Sequence, residues 1–538
     1  MIAGGSLVGL TAAVLLGHHG VRCLVVERHP GTAIHPRAAF INQRTIEIYR
    51  SVGLEPEILL RAGEEFLQDG AIVAVESLTG RELAYFLPSL NEGVRDVSPC
   101  PRIYCTQNVL EPILRRRARE LGAQLAFSSE VESFEQDTDG VTSVVRDRES
   151  GEAMEIRSRY LIAADGNRSP ARERLGIGMQ GRGTFSNSAT IYFRADVRAL
   201  LRDRPLSVIY VNNAKLRGFM RFEADARSGF LAVNAVLDNG TKLDDVALFD
   251  DESRCVQLVR DAVGVPDLEV RVTAVQPWKA AADVATRFSD GRVMLAGDAA
   301  HTMPPTGGFG GNTGVQDAHN LAWKLALVLN GTAGPKLLDT YDTERRPAGR
   351  FAAEQAYTRY VLRTDPSLGD EDIQPQEDDL RIELGCRYDS SAIHPMEKPH
   401  GDAMHCDPRS ARGLPGTRAP HYPLRRNGDD ISAIDLFRNA YTLVSGPRGQ
   451  AWCQAARDTA NAWNLPMDIF CVAAQGQVDD PAGRFCDAYG IAPEGAVLVR
   501  PDGYVAWRSI AEHARPRALL QDSLHHLLCR DRVPPLTA

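Results

Sequence analysis

The sequence lacks the cysteine patterns that build metal sites or disulfide frameworks. Its ten cysteines are scattered over 538 residues. None of them forms a CxxC pair or the combined cysteine and histidine spacing of a zinc site. We expect the nearest pair, Cys100 and Cys105, to be reduced and buried. These absences predict no bound metal, and they favour the reducing cytoplasm over a secreted location.

Long apolar runs and an excess of positive charge are also missing. No stretch reaches the ~18 apolar residues of a membrane-spanning helix. Residues 2–16 are apolar, but glycines interrupt them and no positively charged segment precedes them, so we expect no signal peptide. The net charge is -9, with Arg and Lys widely spread, which predicts no nucleic-acid partner. The composition is that of a soluble globular protein of two to four domains.

The first feature that points to a function is a glycine turn at the start of the chain. Gly4, Ser6 and Gly9 occupy the three positions of a G-x-G-x-x-G turn. A helix over residues 10–16 and a strand over residues 23–26 follow. The turn allows close approach to a pyrophosphate, and an acid at the strand end binds ribose hydroxyls. The pattern predicts a nucleotide site that includes Gly4, Gly5, Ser6, Leu7, Val8, Gly9, Glu27 and Arg28. Only three residues precede Gly4. Two explanations remain open: the first strand is short, or the given sequence begins inside the natural start.

Residues 291–324 contain a second such feature. A strand over residues 293–296 leads into Gly297-Asp298, a Pro-Pro turn and a glycine-rich loop. We expect a helix to begin after Gly314 and to end at Asn330-Gly331. Asp298 can accept hydrogen bonds from hydroxyls, and the helix start favours negative charge. The residues predicted to contact a cofactor are Gly297, Asp298, Pro305, Gly308, Gly310, Gly311 and Asn312. Taken alone, the stretch is also compatible with an ordinary strand–loop–helix corner.

Three weaker signals lie between these two features. A strand over residues 160–164 ends in Asp165-Gly166, Arg37 follows a proline, and Gln107 precedes a helix over residues 109–121. Each has a plain structural explanation when taken alone, as a turn, a surface arginine and a polar residue at a helix start.

In this order, the signals resemble the class A flavoprotein monooxygenases, which are single-component aromatic hydroxylases. The resemblance covers roughly residues 1–360. It implies that Gln107 and Arg37 contact FAD, that Asp165 serves FAD and nicotinamide binding, and that Asp298 holds the ribitol chain. Val131 is also among the expected cofactor contacts. Ser6 departs from the usual glycine of the turn.

Within the family, residues 385–392 and 499–508 resemble the aromatic polyketide hydroxylases that act on aklavinone and tetracenomycins. The resemblance implies a monooxygenase that uses FAD and NADPH or NADH. It would insert one atom of O2 into a polycyclic aromatic polyketide through a flavin C4a-hydroperoxide. Baeyer–Villiger oxidation and oxidative ring cleavage or rearrangement, such as spiroketal formation, remain open. A non-catalytic flavin-binding protein is the alternative from a different class.

The predicted fold is α/β, with a Rossmann-like FAD domain of the glutathione-reductase type. Residues 1–178 and 288–400 would form it, the second part with connecting helices. Residues 179–287 would form an inserted antiparallel substrate sheet, with strands near 189–193, 207–211 and 230–236. Residues 401–538 would form a thioredoxin-like domain without CxxC, with strands near 441–444, 469–473 and 496–499 and a turn at 501–503. We expect a monomer or a homodimer.

The sequence gives little indication of the catalytic and substrate-binding side chains. Arg387 is the candidate for polarising a substrate oxygen, although a structural arginine explains it equally well. His301 is expected to bond locally rather than to act as a base. Tyr210 and Met220 are equally compatible with the core and with a substrate pocket.

Overall fold

The computed structural model describes residues 1–34, 39–234, 251–394, 404–474 and 476–530. Arg37 lies outside these ranges, so its predicted role is not addressed by the structure. The helices in the described residues are α1 (Leu7–His18), α2 (Gln43–Ser51), α3 (Glu55–Glu65), α4 (Gln107–Glu120), α5 (Pro170–Arg174), α6 (Arg198–Leu201), α7 (Glu252–Val263), α8 (Phe309–Leu329), α9 (Asp339–Arg363), α10 (Asp379–Leu384), α11 (Gln450–Trp463), α12 (Phe485–Tyr489) and α13 (Pro516–Leu527).

The strands over the same ranges are β1 (Ile2–Ala3), β2 (Leu24–Val26), β3 (Phe40–Ile41), β4 (Ala71–Val75), β5 (Glu82–Leu87), β6 (Ile103–Tyr104), β7 (Gln124–Ala126), β8 (Ser129–Gln136), β9 (Val141–Asp147), β10 (Ala153–Ser158), β11 (Leu161–Ala163), β12 (Met179–Arg194), β13 (Leu206–Asn212), β14 (Arg217–Phe222), β15 (Ser228–Asn234), β16 (Arg271–Ala285), β17 (Ser289–Asp290), β18 (Val293–Leu295), β19 (His301–Thr302), β20 (Pro423–Arg426), β21 (Asp429–Ser432), β22 (Tyr441–Ser445), β23 (Met467–Cys471), β24 (Val478–Asp479), β25 (Ala496–Val499) and β26 (Val505–Ser509).

The first sheet has the strand order β17-β18-β11-β1-β2-β7. The strands from β18 to β7 are parallel, and β17 is antiparallel to β18. Its central strands are apolar and buried, as expected when helices cover a parallel sheet. Helices α1, α4 and α8 contribute to the same buried core. The ends of β1, β2, β11 and β18 therefore meet at one edge.

The largest sheet has the order β19-β16-β12-β15-β14-β13-β4-β5. One of its faces packs against α7 through Ile209, Met220, Leu231 and Leu258. The strands predicted near residues 189–193 and 207–211 are present, and β15 covers the described part of the one predicted over 230–236. Two features differ from the prediction. Strands β4 and β5 come from residues 71–87, and β13 pairs with β4 in parallel. The sheet is therefore not built from one inserted segment alone.

The last part of the chain forms a four-stranded sheet, β23-β22-β25-β26, with β22 and β23 parallel. Strands β22, β23 and β25 confirm the strands predicted near 441–444, 469–473 and 496–499. The predicted turn at 501–503 is also present, before β26. Trp452 of α11 and Trp507 of β26 are fully buried in the core that also surrounds the first sheet. Among the described residues, no helix combines the length and apolarity needed to cross a membrane.

The predicted start of the helix after the glycine-rich loop was wrong. Helix α8 begins at Phe309, five residues before Gly314, and Gly308 caps it in the left-handed region with φ 66°. Gly310, Gly311 and Asn312 therefore lie in the first turn of the helix rather than in the loop. Glycine normally weakens a helix, but tertiary packing outweighs this preference here. The predicted C-terminal end at Asn330 is confirmed.

Candidate active site

The glycine turn is held against the neighbouring strand end by very close packing. Gly4 has φ 102°, and a Cβ on it would lie 2.1 Å from the carbonyl oxygen of Ala164. Only glycine is compatible with both constraints. The Gly5 N–H donates to Oε2 of Glu27 at 2.6 Å. The turn and the acid at the end of β2 are therefore directly connected.

Ser6, which replaces the second glycine, has its own buried partner. Its hydroxyl donates to Oε1 of Glu111 at 2.5 Å, and the Ala33 N–H donates to the other oxygen of that carboxylate at 2.7 Å. Burial raises the pKa of Glu111. Ser6 thus connects the start of α1 to α4. Glu111 was not identified from the sequence, because nothing near it in the chain indicates its partner.

Asp165 presents a carboxylate oxygen that has no hydrogen-bond partner in the part of the chain that the structure describes. Its Oδ2 accepts from the Ala171 N–H at 3.0 Å, while Oδ1 is buried and makes no hydrogen bond within the described residues. Burial raises the pKa of this carboxyl group. Because Ala164 contacts Gly4, the free oxygen lies next to the glycine turn. A ligand hydroxyl or N–H could satisfy it.

Asp317 organises the corner after β18. Its Oδ2 accepts from the Gly297 N–H at 3.1 Å and lies 2.7 Å from Nε2 of His301, while Oδ1 accepts from Nε of Arg345 at 2.8 Å. His301 therefore bonds locally, as expected. Asp298 is exposed although Gly297 and Ala299 are buried. The corner thus exposes the carboxylate of Asp298 and buries that of Asp317.

The loop before α8 is fastened by Asn312. Its Oδ1 accepts from the Asn42 N–H at 3.0 Å and from the Thr45 hydroxyl at 2.7 Å, and its Nδ2 donates to the Phe40 and Gly308 carbonyls. These bonds connect the loop to the segment between β3 and α2. Pro305 is exposed, and its carbonyl accepts from the Gly308 N–H. The first N–H groups of α8 lack a partner within the helix, as at any helix start.

Close packing also joins the glycine turn to this corner. A Cβ on Gly314 would lie 2.6 Å from Cγ2 of Val8 and 3.0 Å from Cα of Gly297. Three of the predicted strand ends, at Gly4, Asp165 and Gly297, are thus neighbours at one sheet edge. Their donors and acceptors fit a dinucleotide with a polyhydroxylated chain.

The remaining predicted residues lie around this edge. Gln107 is the first residue of α4, and Val131 is on β8, two residues after Ser129, whose N–H donates to the Glu27 carbonyl. The Arg28 side chain is exposed. Within the described residues, its contact is a hydrogen bond that Arg148 donates to the Arg28 carbonyl.

Arg387 lies elsewhere, beside Gly416 in the segment that leads to the C-terminal sheet. Its N–H donates to the Met404 carbonyl. A Cβ on Gly416 would lie 3.3 Å from its Cγ. Within the described residues, these partners of Arg387 lie outside the strand ends described above.

A buried ion-pair network fixes the C-terminal region onto α8 and α9. Glu344 accepts from Arg500 at 2.7 Å and from Lys324 at 2.8 Å, and Arg500 also pairs with Asp502. Although burial alone would raise the pKa of Glu344, the charges of Arg500 and Lys324 hold it well below its usual value. The network was not predicted, because its members are far apart in the chain.

The largest sheet turns an aromatic face away from α7. Strand register places Tyr192 opposite Phe230 and Tyr210 opposite Phe219. The Phe219 and Phe230 rings are edge-to-face with centroids 5.8 Å apart. Met220 points to the other face and packs in the core. Met220 is therefore a core residue, whereas Tyr210 lies on the aromatic face and remains compatible with a substrate pocket.

The fold is mixed α/β, and its strand-end geometry fits a dinucleotide at the edge of a parallel sheet. Residues 1–356 match the family described as FAD binding domain, and residues 412–530 match the one described as aromatic-ring hydroxylase, C-terminal. The chain belongs to the FAD-dependent aromatic-ring hydroxylases and is a flavin-dependent monooxygenase.

Its relatives include enzymes with different substrates. It is 50% identical over 535 residues to 4-methyl-5-nitrocatechol 5-monooxygenase of a Burkholderia species, covering 98% of this chain and 97% of the relative. It is 38% identical to tetracenomycin A2 monooxygenase-dioxygenase of Streptomyces glaucescens, covering 99% of this chain and 97% of the relative. The crystal structure of aklavinone-11 hydroxylase with FAD and aklavinone superposes with a TM-score of 0.91 at 35% identity, covering 98% of each chain. The expected resemblance is confirmed, and the alternative of a non-catalytic flavin-binding protein is set aside.

Proposed function

We propose that the protein hydroxylates a phenolic, polycyclic aromatic polyketide, with FAD as the bound cofactor, NADPH or NADH as the reductant and O2 as the oxygen source. The observation that carries this proposal is the pairing of the dinucleotide edge with an aromatic sheet face. The names of the tetracenomycin and aklavinone enzymes support the substrate class.

The width of the aromatic face supports a substrate with several fused rings. Tyr192 is on β12 and Tyr210 is on β13, with β15 and β14 between them. At a spacing of about 4.8 Å per strand, the face extends over roughly 14 Å. Such a face offers stacking surface along an elongated ring system.

Bound FAD would accept a hydride from the nicotinamide and activate O2 for transfer of one oxygen atom to the ring. The chain's own groups would hold and orient it. We assign the pyrophosphate to the glycine turn and the start of α8, a ribose to Glu27, and the ribitol chain to Asp298. The free oxygen of Asp165 would accept a hydrogen bond from the same cofactor. The buried walls would exclude water from the reacting ring.

A single-ring nitrocatechol is the second candidate substrate class, because it is favoured by the 50% identity to the Burkholderia enzyme. Baeyer–Villiger oxidation and oxidative ring rearrangement remain the alternative outcomes of the oxygen transfer.

We also propose the division of the chain into domains. Residues 1–178 and 288–400 would form the Rossmann-like FAD domain, residues 179–287 most of the substrate domain, and residues 401–538 a thioredoxin-like domain. The family match over residues 1–356 spans the proposed FAD and substrate domains together, and the match over residues 412–530 supports the last domain. Two further points stay predictions. The protein is expected to be a monomer or a homodimer, and Arg387 is expected to polarise a substrate oxygen.

The experiment measures substrate-stimulated NADPH and NADH oxidation and O2 uptake by the FAD-loaded protein. Polycyclic hydroxyquinones and nitrocatechols are compared as substrates, and products made under labelled O2 are identified by mass. We expect the polycyclic phenols to accelerate NAD(P)H oxidation and to gain one labelled oxygen atom. Acceleration by nitrocatechols alone would transfer the assignment to the second class. No acceleration by either class would overturn the proposed function.

A further inference from the structure

Arg221 is a buried cation on the aromatic face. It lies on β14 directly opposite Phe230 of β15, which in turn lies opposite Tyr192 of β12. Directly opposite residues in a sheet have side chains within about 5 Å of one another. The position therefore places a guanidinium in line with two aromatic rings of the proposed substrate surface.

Two aromatic rings from outside the sheet clamp this guanidinium. Its central carbon lies 3.3 Å from the ring centroid of Tyr104 and 3.8 Å from that of Phe66. Stacking between two rings fixes the plane of the guanidinium and leaves only its edge for hydrogen bonding. The clamp thus aims the N–H donors while holding the charge in place.

The charge has no counterion among the described residues. Arg221 is 3% exposed, and its Nη2 is buried without a hydrogen-bond partner there. The acid whose charge acts on it is Glu65 of α3, whose carboxylate accepts from the Thr106 N–H at 2.8 Å and from the Thr106 hydroxyl. Burial lowers the pKa of Arg221 to about 9, so the group remains protonated at neutral pH.

An unpaired buried cation costs free energy unless an anion accompanies it. Glu65 is the acid whose charge acts on Arg221, and Thr106 already donates to its carboxylate. Arg102, whose charge acts on Tyr104, is paired with Glu383. Burial raises the pKa of Tyr104 to about 12, so its phenol carries no negative charge at neutral pH. Tyr210 of β13 faces the same side. An anionic ligand would therefore match the charge of Arg221.

The clamp also lies close to the loop assigned to the flavin. The Phe40 ring centroid is 5.9 Å from that of Tyr104, and a Cβ on Gly308 would lie 2.6 Å from Cδ1 of Phe40. One aromatic ring thus separates the clamp from the glycine loop. A ligand held by Arg221 would lie between the aromatic face and this loop.

We propose that Arg221 binds the deprotonated hydroxyl oxygen of the aromatic substrate and so selects phenolate or catecholate over the neutral phenol. This inference rests on the proposed function. The phenol proton passes to bulk buffer on binding, and the guanidinium donates charge-assisted hydrogen bonds to the oxygen that remains. An ionised hydroxyl makes the ring more electron-rich, which favours acceptance of an electrophilic oxygen atom.

The test uses oxidised, FAD-loaded protein without NAD(P)H, so that binding is separated from turnover. Alizarin and nitrocatechol serve as polycyclic and single-ring probes, because both change colour on ionisation. Spectral titration over pH gives the dissociation constant and the pKa of the bound probe. For the wild type, we expect the pKa of a bound probe to be lowered by about one unit or more, with one proton released per probe bound.

Arg221→Met preserves much of the side-chain volume and removes the charge. We expect binding at least tenfold weaker and a bound-probe pKa no longer lowered. Arg221→Lys keeps the charge but loses the planar stacking, so we expect an intermediate dissociation constant. Arg292→Met is the matched control, since Arg292 stacks on Tyr160, with its central carbon 4.9 Å from the ring centroid, at the opposite end of β18 from Gly297. It should bind the probes as the wild type does.

The outcomes distinguish the inference from the proposed function. Wild-type affinity and bound-probe pKa in a flavin-loaded Arg221→Met variant would overturn the role of Arg221 and leave the hydroxylase proposal intact. If Arg221→Met does not fold, unchanged affinity in Arg221→Lys has the same meaning. No probe binding by the wild type, with no acceleration of NAD(P)H oxidation by any phenol, would overturn the proposed function and this inference with it.

Discussion

Nε2 of His301 lies 2.7 Å from Oδ2 of Asp317, and both side chains are completely buried. The same carboxylate accepts from the Gly297 N–H and pairs with Arg345. Although burial alone would raise the pKa of Asp317, the His301 and Arg345 charges lower it. A single acid thus connects the corner that presents Asp298 with α8 and α9.

Replacing Asp317 should strongly destabilise the protein. Asp317→Ala leaves Arg345 buried without its carboxylate, and breaking a buried pair in this way costs about 3–5 kcal/mol. Urea denaturation of the FAD-loaded protein measures the loss, and Asp339→Ala at the exposed start of α9 is the control. A loss below about 1 kcal/mol would contradict the organising role of Asp317.

Asp298→Ala should weaken FAD binding without unfolding the protein. The side chain is exposed, so its removal leaves no buried cavity. Loss of hydrogen bonds from ribitol hydroxyls to a carboxylate costs about 1.5–3 kcal/mol, which weakens FAD binding roughly tenfold or more. Flavin absorbance per protein after dialysis reports occupancy, and circular dichroism verifies the fold. Full occupancy after dialysis would reject the ribitol assignment.

Two helical glycines should respond in opposite directions to alanine. Gly314→Ala places a methyl group 2.6 Å from Val8 and 3.0 Å from the Gly297 backbone, so we expect a destabilisation of about 1–3 kcal/mol and weaker FAD binding. Gly63 in α3 has no atom within 4 Å of such a methyl group, and Gly63→Ala should stabilise by about 0.5–1 kcal/mol. Thermal melting of both variants tests the contrast, and equal shifts would contradict it.

Acid should destabilise the protein partly through His405. Its ring stacks on Phe351 with centroids 3.6 Å apart, and burial first, then Arg381 and Arg345, lower its pKa to about 3. Below pH 6.5 the unfolded state binds a proton that the folded state does not, so stability falls as the pH falls towards 3. Between pH 7 and 4.5, His405→Phe should lose about 2–3 kcal/mol less stability than the wild type. Urea denaturation at both pH values gives this difference, and equal losses would disprove it.

The parts of the candidate site that could be predicted are those encoded by short sequence motifs. The turn around Gly4, the acid at the end of β2 and the Asp165 and Asp298 corners are each encoded in a few consecutive residues. Parallel strands carry their carboxyl ends to one edge, so these short signals were enough to indicate the cofactor. The start of α8 was misplaced because Gly310 and Gly311 are poor helix formers. The bonds that fasten this first turn run from Asn312 to residues 40–45, which are distant in the chain.

By itself, then, the sequence determined the family and predicted the edge of the sheet proposed to hold FAD, because strand-end and turn chemistry is local. Only the tertiary structure decided which buried groups support that edge and which face of the large sheet is aromatic. Asp317 gains its partners from α9 and β19, and Arg221 gains its clamp from residues more than a hundred positions earlier. Such pairings depend on long-range packing, which no periodicity along the chain records.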